Sequence, residues 1–243
     1  MKVSAELSKD ETFAFTNSGQ GIFLASSNTS AIKIKTEVKM RLLYVMDPMC
    51  AWCYGFEPEL EEFLKKHSSL EVDFIMGGLA PDTHYPMAEK LKQSISSYWY
   101  EIEKTARVTF NHDFWKLNTP YRSTYSACRA VIAAEYLKEK SAHQMVKSIQ
   151  SAYYLEAKNP SLEKTLIACA FSIGLDKNQF LEAFKSEKIE QRFQEHLRLT
   201  YELKARAFPA LFYINNRNET YPLTLSYTQT SNLEQRFNHI KGK

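Results

Sequence analysis

Cys50 and Cys53 stand three positions apart where an apolar run gives way to a helical pattern, and no other feature constrains the chain as much. The run is Leu42-Leu43-Tyr44-Val45-Met46, and the junction reads Asp47-Pro48-Met49-Cys50-Ala51-Trp52-Cys53-Tyr54-Gly55-Phe56. A Cys-x-x-Cys turn that carries a strand into a helix suits reversible disulfide chemistry. The first turn of a helix leaves backbone N–H groups unpaired and carries the positive end of the peptide dipole, and both favour a thiolate. Cys50, placed first, receives most of that effect. Cys53, one turn on, is expected to be more buried and positioned to resolve a mixed disulfide. In Cys-x-x-Cys sites the first thiol falls from a pKa of ~8.5 to roughly 3.5–7.5.

Length and charge narrow the setting. The 243 residues suffice for one large domain or a domain with a sizeable insertion. A formal charge of +3 with dispersed Lys and Arg speaks against a nucleic-acid partner. Seven glycines argue against a β-rich or loop-rich architecture, and four cysteines do not make a disulfide scaffold. Met1-Lys2-Val3 is followed by Glu6, Lys9, Asp10 and Glu11, and the nearby cluster Ile22-Phe23-Leu24-Ala25 is shorter than a signal-peptide core. No run approaches the ~18 apolar residues of a membrane span. The expectation is a cytoplasmic protein with no membrane partner.

Residues 1–39 are rich in Ser, Thr and Asn, and read as a poorly ordered extension or a hairpin around Gly19-Gln20-Gly21, with Met40 a candidate start of translation. The pattern then predicts a strand over Arg41–Met46, a helix over Cys50–His67 kinked or restarted at Pro58, and a parallel strand over Glu71–Met76 ended by Gly77-Gly78. From Met87 to Lys204 the period is helical, with stripes at Tyr125, Cys128, Ile132 and Tyr136, at Leu162, Leu166, Cys169 and Ile173, and at Ile189, Phe193, Leu197 and Tyr201. Asn159-Pro160 predicts one helix start, Asp176 with Gln179 a second, and Ser231 with Glu234 the start of a final helix. Strands are expected over Ala210–Asn215 and Glu219–Leu225, the latter at an edge because of Pro222. The fold class is α/β: β-α-β, then β-β-α, with a large all-helical domain inserted between the halves. The expected domains are 40–86 with 205–243, and 87–204.

That order, with Cys-x-x-Cys opening the first helix, resembles the DsbA family of thioredoxin-fold oxidoreductases over residues 41–240, most nearly its FrnE-like and uncharacterised cytoplasmic members. Their Pro-x-Cys-x-Trp-Cys-aromatic-Gly-Phe motif is met by Pro48, Cys50, Trp52, Cys53, Tyr54, Gly55 and Phe56. The resemblance also implies a cis-proline opposite the cysteines, matched by Pro209 in Phe208-Pro209-Ala210, with the Phe208 backbone turned toward the thiols. Two departures stand out. Ala51-Trp52 puts no side-chain donor between the cysteines, which leaves the direction of electron flow open, and Lys204-Ala205-Arg206-Ala207 lacks the glycines usual before that proline.

The function expected is thiol–disulfide exchange through a mixed disulfide on Cys50, resolved by Cys53, with Pro209 completing the site. Met49, Trp52, Tyr54 and Phe208 are candidates for substrate contact. Asp47 is a candidate proton acceptor for Cys53, or simply a turn residue before Pro48. No metal or other cofactor is expected, since Cys128 and Cys169 are isolated and the six histidines show no ligand spacing. Those two cysteines read as core residues, and Arg122, Tyr125 and Arg129 as a lining for a substrate cleft. The partner is a thiol- or disulfide-bearing protein or peptide, with glutathione a possible co-substrate. Two alternatives remain open: a glutathione-dependent transferase or isomerase on the same fold, and a non-enzymatic substrate-binding or chaperone module.

Overall fold

The computed structural model describes Phe13–Ala14 and residues 40–241. The rest of the segment 1–39, with the hairpin expected there, lies outside the described residues. Strands β1 (Phe13–Ala14), β2 (Arg41–Met46), β3 (Glu71–Met76), β4 (Ala210–Ile214) and β5 (Glu219–Thr224) form a sheet in the order β1-β5-β4-β2-β3. β2 and β3 pair in parallel, and every other neighbouring pair is antiparallel.

β2 is apolar along its length because it is covered on both faces. Leu42, Tyr44 and Met46 enter a large core with the helices, while Leu43 and Val45 enter a smaller one with Phe212 and Leu203. Pro222 falls at the register shift where Phe212 pairs with it and Leu211 pairs with Thr224. The missing N–H of proline is thus placed at a bulge, where a strand tolerates it.

Helix α1 (Ala51–Lys66) contains Pro58 as one continuous helix, so of the two expected outcomes the restart does not occur. It buries Phe56, Leu60 and Phe63, each stabilising by roughly 1.5–3 kcal/mol. Between β3 and β4 lie α2 (Glu89–Ala106), α3 (Phe114–Leu117), α4 (Tyr125–Leu137), α5 (Ala142–Gln150), α6 (Glu163–Ser172), α7 (Lys177–Phe184) and α8 (Glu187–Glu202). Helix α9 (Thr230–Lys241) closes the described chain. The inserted helices share one core with the sheet: Val131 of α4, Val146 of α5 and Phe193 of α8 belong to the cluster that holds Tyr44 and Phe56. α5 continues into a wider π-helical turn, Ser151–Leu155. That turn buries both Tyr153 and Tyr154 in an aromatic cluster with Trp99, Phe110, Phe114 and Trp115.

Three local expectations are corrected. Asn159 caps no helix directly; its side chain accepts from Ser161 N–H and donates to the Thr119 carbonyl, and α6 starts at Glu163. Ser231 and Glu234 form no capping box, because α9 starts at Thr230, whose hydroxyl and N–H bond Glu59, while Glu234 bonds His67. Tyr201 ends its stripe 85% exposed. By contrast, Asp176 does cap α7, accepting from the N–H groups of Asn178 and Gln179.

Candidate active site

The expected cysteine turn forms at the C-terminal end of β2. Cys50 is the N-cap of α1, in extended backbone conformation, and Cys53 lies in the first turn. All four cysteines are free and buried. The Phe208–Pro209 bond is cis, and the Cys50 thiol donates a long hydrogen bond to the Phe208 carbonyl oxygen, with Sγ and O 3.8 Å apart. The structure therefore brings together Cys50, Cys53, Phe208 and Pro209, residues from β2–α1 and from the entry to β4, 158 positions apart at the hydrogen bond.

Asp47 holds this turn in shape. Its carbonyl accepts Cys50 N–H at 3.0 Å, and its Oδ1 accepts Met49 N–H at 2.8 Å. Its Oδ2 accepts Leu79 N–H at 2.7 Å, the Thr124 hydroxyl at 2.6 Å and the Cys128 thiol at 3.5 Å. Burial pushes the carboxyl above its ordinary pKa, and the four donors pull the other way. The Asp47 carboxylate accepts no hydrogen bond from Cys53; both of its oxygens are engaged by these other donors. Its geometric role is to fasten β2, the loop after β3 and α4 beneath the cysteines.

Burial pushes the Cys53 thiol well above its usual range; the neighbouring Cys50 adds to that, and the backbone of Asp47 offsets part of it. Burial thus favours the neutral thiol at Cys53. Farther along α1, Oε1 of buried Glu57 is hydrogen-bonded to His143 Nε2, while its Oε2 and the Tyr44 hydroxyl have no hydrogen-bond partner among the described residues. Glu57, Glu61 and His143 bring potential metal-ligand atoms within 4.8 Å of one another. Lys147 pairs with Glu61 and His143 hydrogen-bonds Glu57, so the side chains of this cluster are already partnered.

The substrate-contact candidates separate. Phe208 is half-buried with its ring against Gly77, where an added Cβ would sit 2.2 Å from Phe208 Cζ. Only glycine fits that approach, so Gly77 does more than end β3. Trp52 is half-buried, 5.3 Å from the ring of Tyr227 in the loop before α9, and Met49 is half-buried between the two larger cores. Tyr54 departs from its expected place. Its ring stacks on Tyr154 at 4.7 Å and its hydroxyl donates to the Thr109 carbonyl, so it ties α1 to the inserted helices. Arg129 is likewise engaged, with Asp82 at 2.6 Å and Glu190 at 3.3 Å, and Tyr125 packs on Phe193. Thr124, Tyr227 and the Cys128–Asp47 contact were not legible locally. A buried aspartate needs donors, but nothing in the sequence says that they come from residues 79, 124 and 128.

A family model described as thioredoxin matches residues 43–235. Among solved structures, a putative protein disulfide isomerase from Nitrosomonas europaea superposes with a TM-score of 0.75 at 24% identity, covering 84% of this chain and 98% of that one. The cytosolic disulfide reductase DsbM from Pseudomonas aeruginosa, solved with GSH, gives a TM-score of 0.66 at 25% identity, covering 83% and 98%. Among curated proteins, the ClpXP adapter protein SpxH of Halalkalibacterium halodurans is 23% identical over 206 residues, 82% of this chain. The chain spans 67% of that relative's length and 60% of two further relatives of the same description.

Proposed function

The chain belongs to the thioredoxin family, and on that premise we propose that it is a DsbA-like thiol–disulfide oxidoreductase whose redox pair is Cys50 and Cys53. The observation that carries the reading is Cys50 at the N-cap of α1 with its Sγ facing the Phe208 carbonyl. A helix N-terminus favours a sulfur anion, and the Phe208 backbone offers an extended substrate strand a hydrogen-bonding edge.

In the reductive direction the Cys50 thiolate attacks one sulfur of a substrate disulfide. The substrate S–S bond breaks, a Cys50–substrate disulfide forms, and the first substrate sulfur leaves as thiolate and takes up a proton. Cys53 then attacks Cys50 Sγ, its thiol proton passing to the second departing substrate sulfur. Two electrons have moved to the substrate, and a Cys50–Cys53 disulfide remains. Two molecules of a low-molecular-weight thiol such as glutathione would return the pair to the dithiol. Run in reverse, the same steps oxidise a substrate dithiol. Trp52 and Met49, half-buried beside the pair, supply an apolar rim for substrate. We place the protein in the cytoplasm; no described helix is long and apolar enough to cross a membrane.

The test is a titration of the purified protein in glutathione buffers, counting alkylatable thiols, with Cys50→Ser as control. A reversible two-thiol transition lost in the control supports the reading, and unchanging free thiols at every ratio defeat it. The likeness to SpxH proteins favours a second reading, a non-catalytic adapter that presents a bound protein. Partner binding that persists in the Cys50→Ser, Cys53→Ser double variant, with no exchange activity in the wild type, would select it.

A further inference from the structure

β3 is the outermost strand of the sheet on the side away from β5. Gly77 N–H donates to the Met46 carbonyl at 2.7 Å, whereas Met76 N–H points the other way and donates to His196 Nδ1 at 3.0 Å. Backbone groups alternate along a strand, so Val72 and Phe74 also turn their N–H and C=O groups outward. His196 on α8 covers the Met76 end. Over the remainder of the strand, the outward groups of Val72 and Phe74 have no hydrogen-bond partner among the described residues. They face a groove of about 660 Å³ walled by β3, α4, the start of α5 and α8. That volume lies within the ordinary range of about 300–1,000 Å³ for binding sites.

The groove is acidic. Glu71, Asp73, Glu135, Glu139 and Glu195 line it, against the permanent cations Lys140 and Arg192. Asp73 is paired with Arg41, and Glu135 accepts the N–H groups of Lys140 and Ala142, whereas Glu139 and Glu195 are exposed on the groove walls. Like charges along an edge disfavour pairing with a second copy of the same edge and favour a strand of opposite sign.

We propose that this groove docks an extended, basic segment of a partner protein, which adds to β3 as a strand through the outward backbone groups of Val72 and Phe74. Its Lys or Arg side chains meet Glu139 and Glu195. At about 3.3 Å per residue, Glu71–Phe74 presents a pairing length of about 13 Å, enough for roughly four partner residues. The site is separate from the cysteines and does not depend on their turnover.

A seven-residue peptide of alternating lysine and valine, titrated into the isotope-labelled full chain, tests this by NMR and fluorescence anisotropy. We expect saturable binding and slowed solvent exchange at the Val72 and Phe74 amides. Affinity should be at least tenfold weaker in the Glu139→Lys, Glu195→Lys variant and unchanged in Cys50→Ser. Both charge reversals are at exposed positions, so the fold is retained. The proposal is overturned by equal binding of a glutamate–valine peptide, by unchanged affinity in the charge-reversed variant, or by peptide-induced changes confined to other surfaces. It is also overturned if the Val72 and Phe74 amides are already protected in a concentration-dependent dimer.

Discussion

The turn that opens α1 and positions inside α4 and α6 carry the same residue at similar burial: Cys50 is 7% exposed, Cys53 0%, Cys128 0% and Cys169 4%. They differ in what the sulfur faces. Cys128 donates to the Asp47 carboxylate at 3.5 Å and Cys169 to the Ser148 carbonyl at 3.6 Å, each from within a continuous helix. Burial pushes both thiols up, and Asp47 pushes Cys128 further. Cys50 instead caps a helix, where the dipole favours an anion, and stands before a backbone edge that a substrate can share. Burial alone therefore does not separate these thiols; the helix end and the group opposite the sulfur do.

The largest effect that would sharpen this contrast is on exchange itself. Cys50→Ser should reduce insulin-disulfide reduction to the uncatalysed level, whereas Cys169→Ala should leave it intact; equal loss in both would erase the distinction. Next in size is the support beneath the turn. Asp47→Ala strands the N–H groups of Met49 and Leu79 and removes the shorter of the two bonds made by the Thr124 hydroxyl. Urea unfolding should then show a loss of roughly 3–5 kcal/mol. A loss under 1 kcal/mol would mean that the turn is held by other contacts.

A third measurement probes the far edge of the sheet. Burial, with Arg192 nearby, lowers His196 from its ordinary 6.5 to about 4. The folded pKa lies below the unfolded one, so the stability this group contributes is fully present above pH 6.5. It is lost as pH falls from there toward about 4, where the unfolded state binds the extra proton. The difference amounts to about 3 kcal/mol. Unfolding free energies at neutral and acid pH should converge in His196→Gln relative to the wild type, and identical pH profiles would refute the linkage. The smallest expected effect is on Cys128→Ala, about 1 kcal/mol of stability with exchange retained. Loss of exchange there would join the two classes of thiol after all.

The sites of agreement and disagreement share a cause. Arg41–Met46 and Glu71–Met76 were legible to the residue because apolar runs bounded by turn residues encode strands locally. Asp176 was legible as a cap because its partners are two and three residues away. Ser231 and Glu234 misled because Thr230 and Glu234 found partners on α1 and at its end, Glu59 and His67, more than 160 positions away. Tyr54 misled similarly, since an aromatic next to a cysteine looks accessible until Tyr154 is brought against it.

The chain's own pattern thus determined the order of elements, the strand-to-helix placement of Cys50 and Cys53, and the interruption of a small sheet by a long helical segment. Each depends on periodicity and turn chemistry within a few residues. Tertiary structure decided which thiol faces Phe208, that Asp47 serves as a fastener, that Gly77 makes room for a ring, and that the outer edge of β3 opens on an acidic groove. These depend on side chains meeting across the sheet from distant segments, and such pairings carry no short-range signal because packing selects the partners.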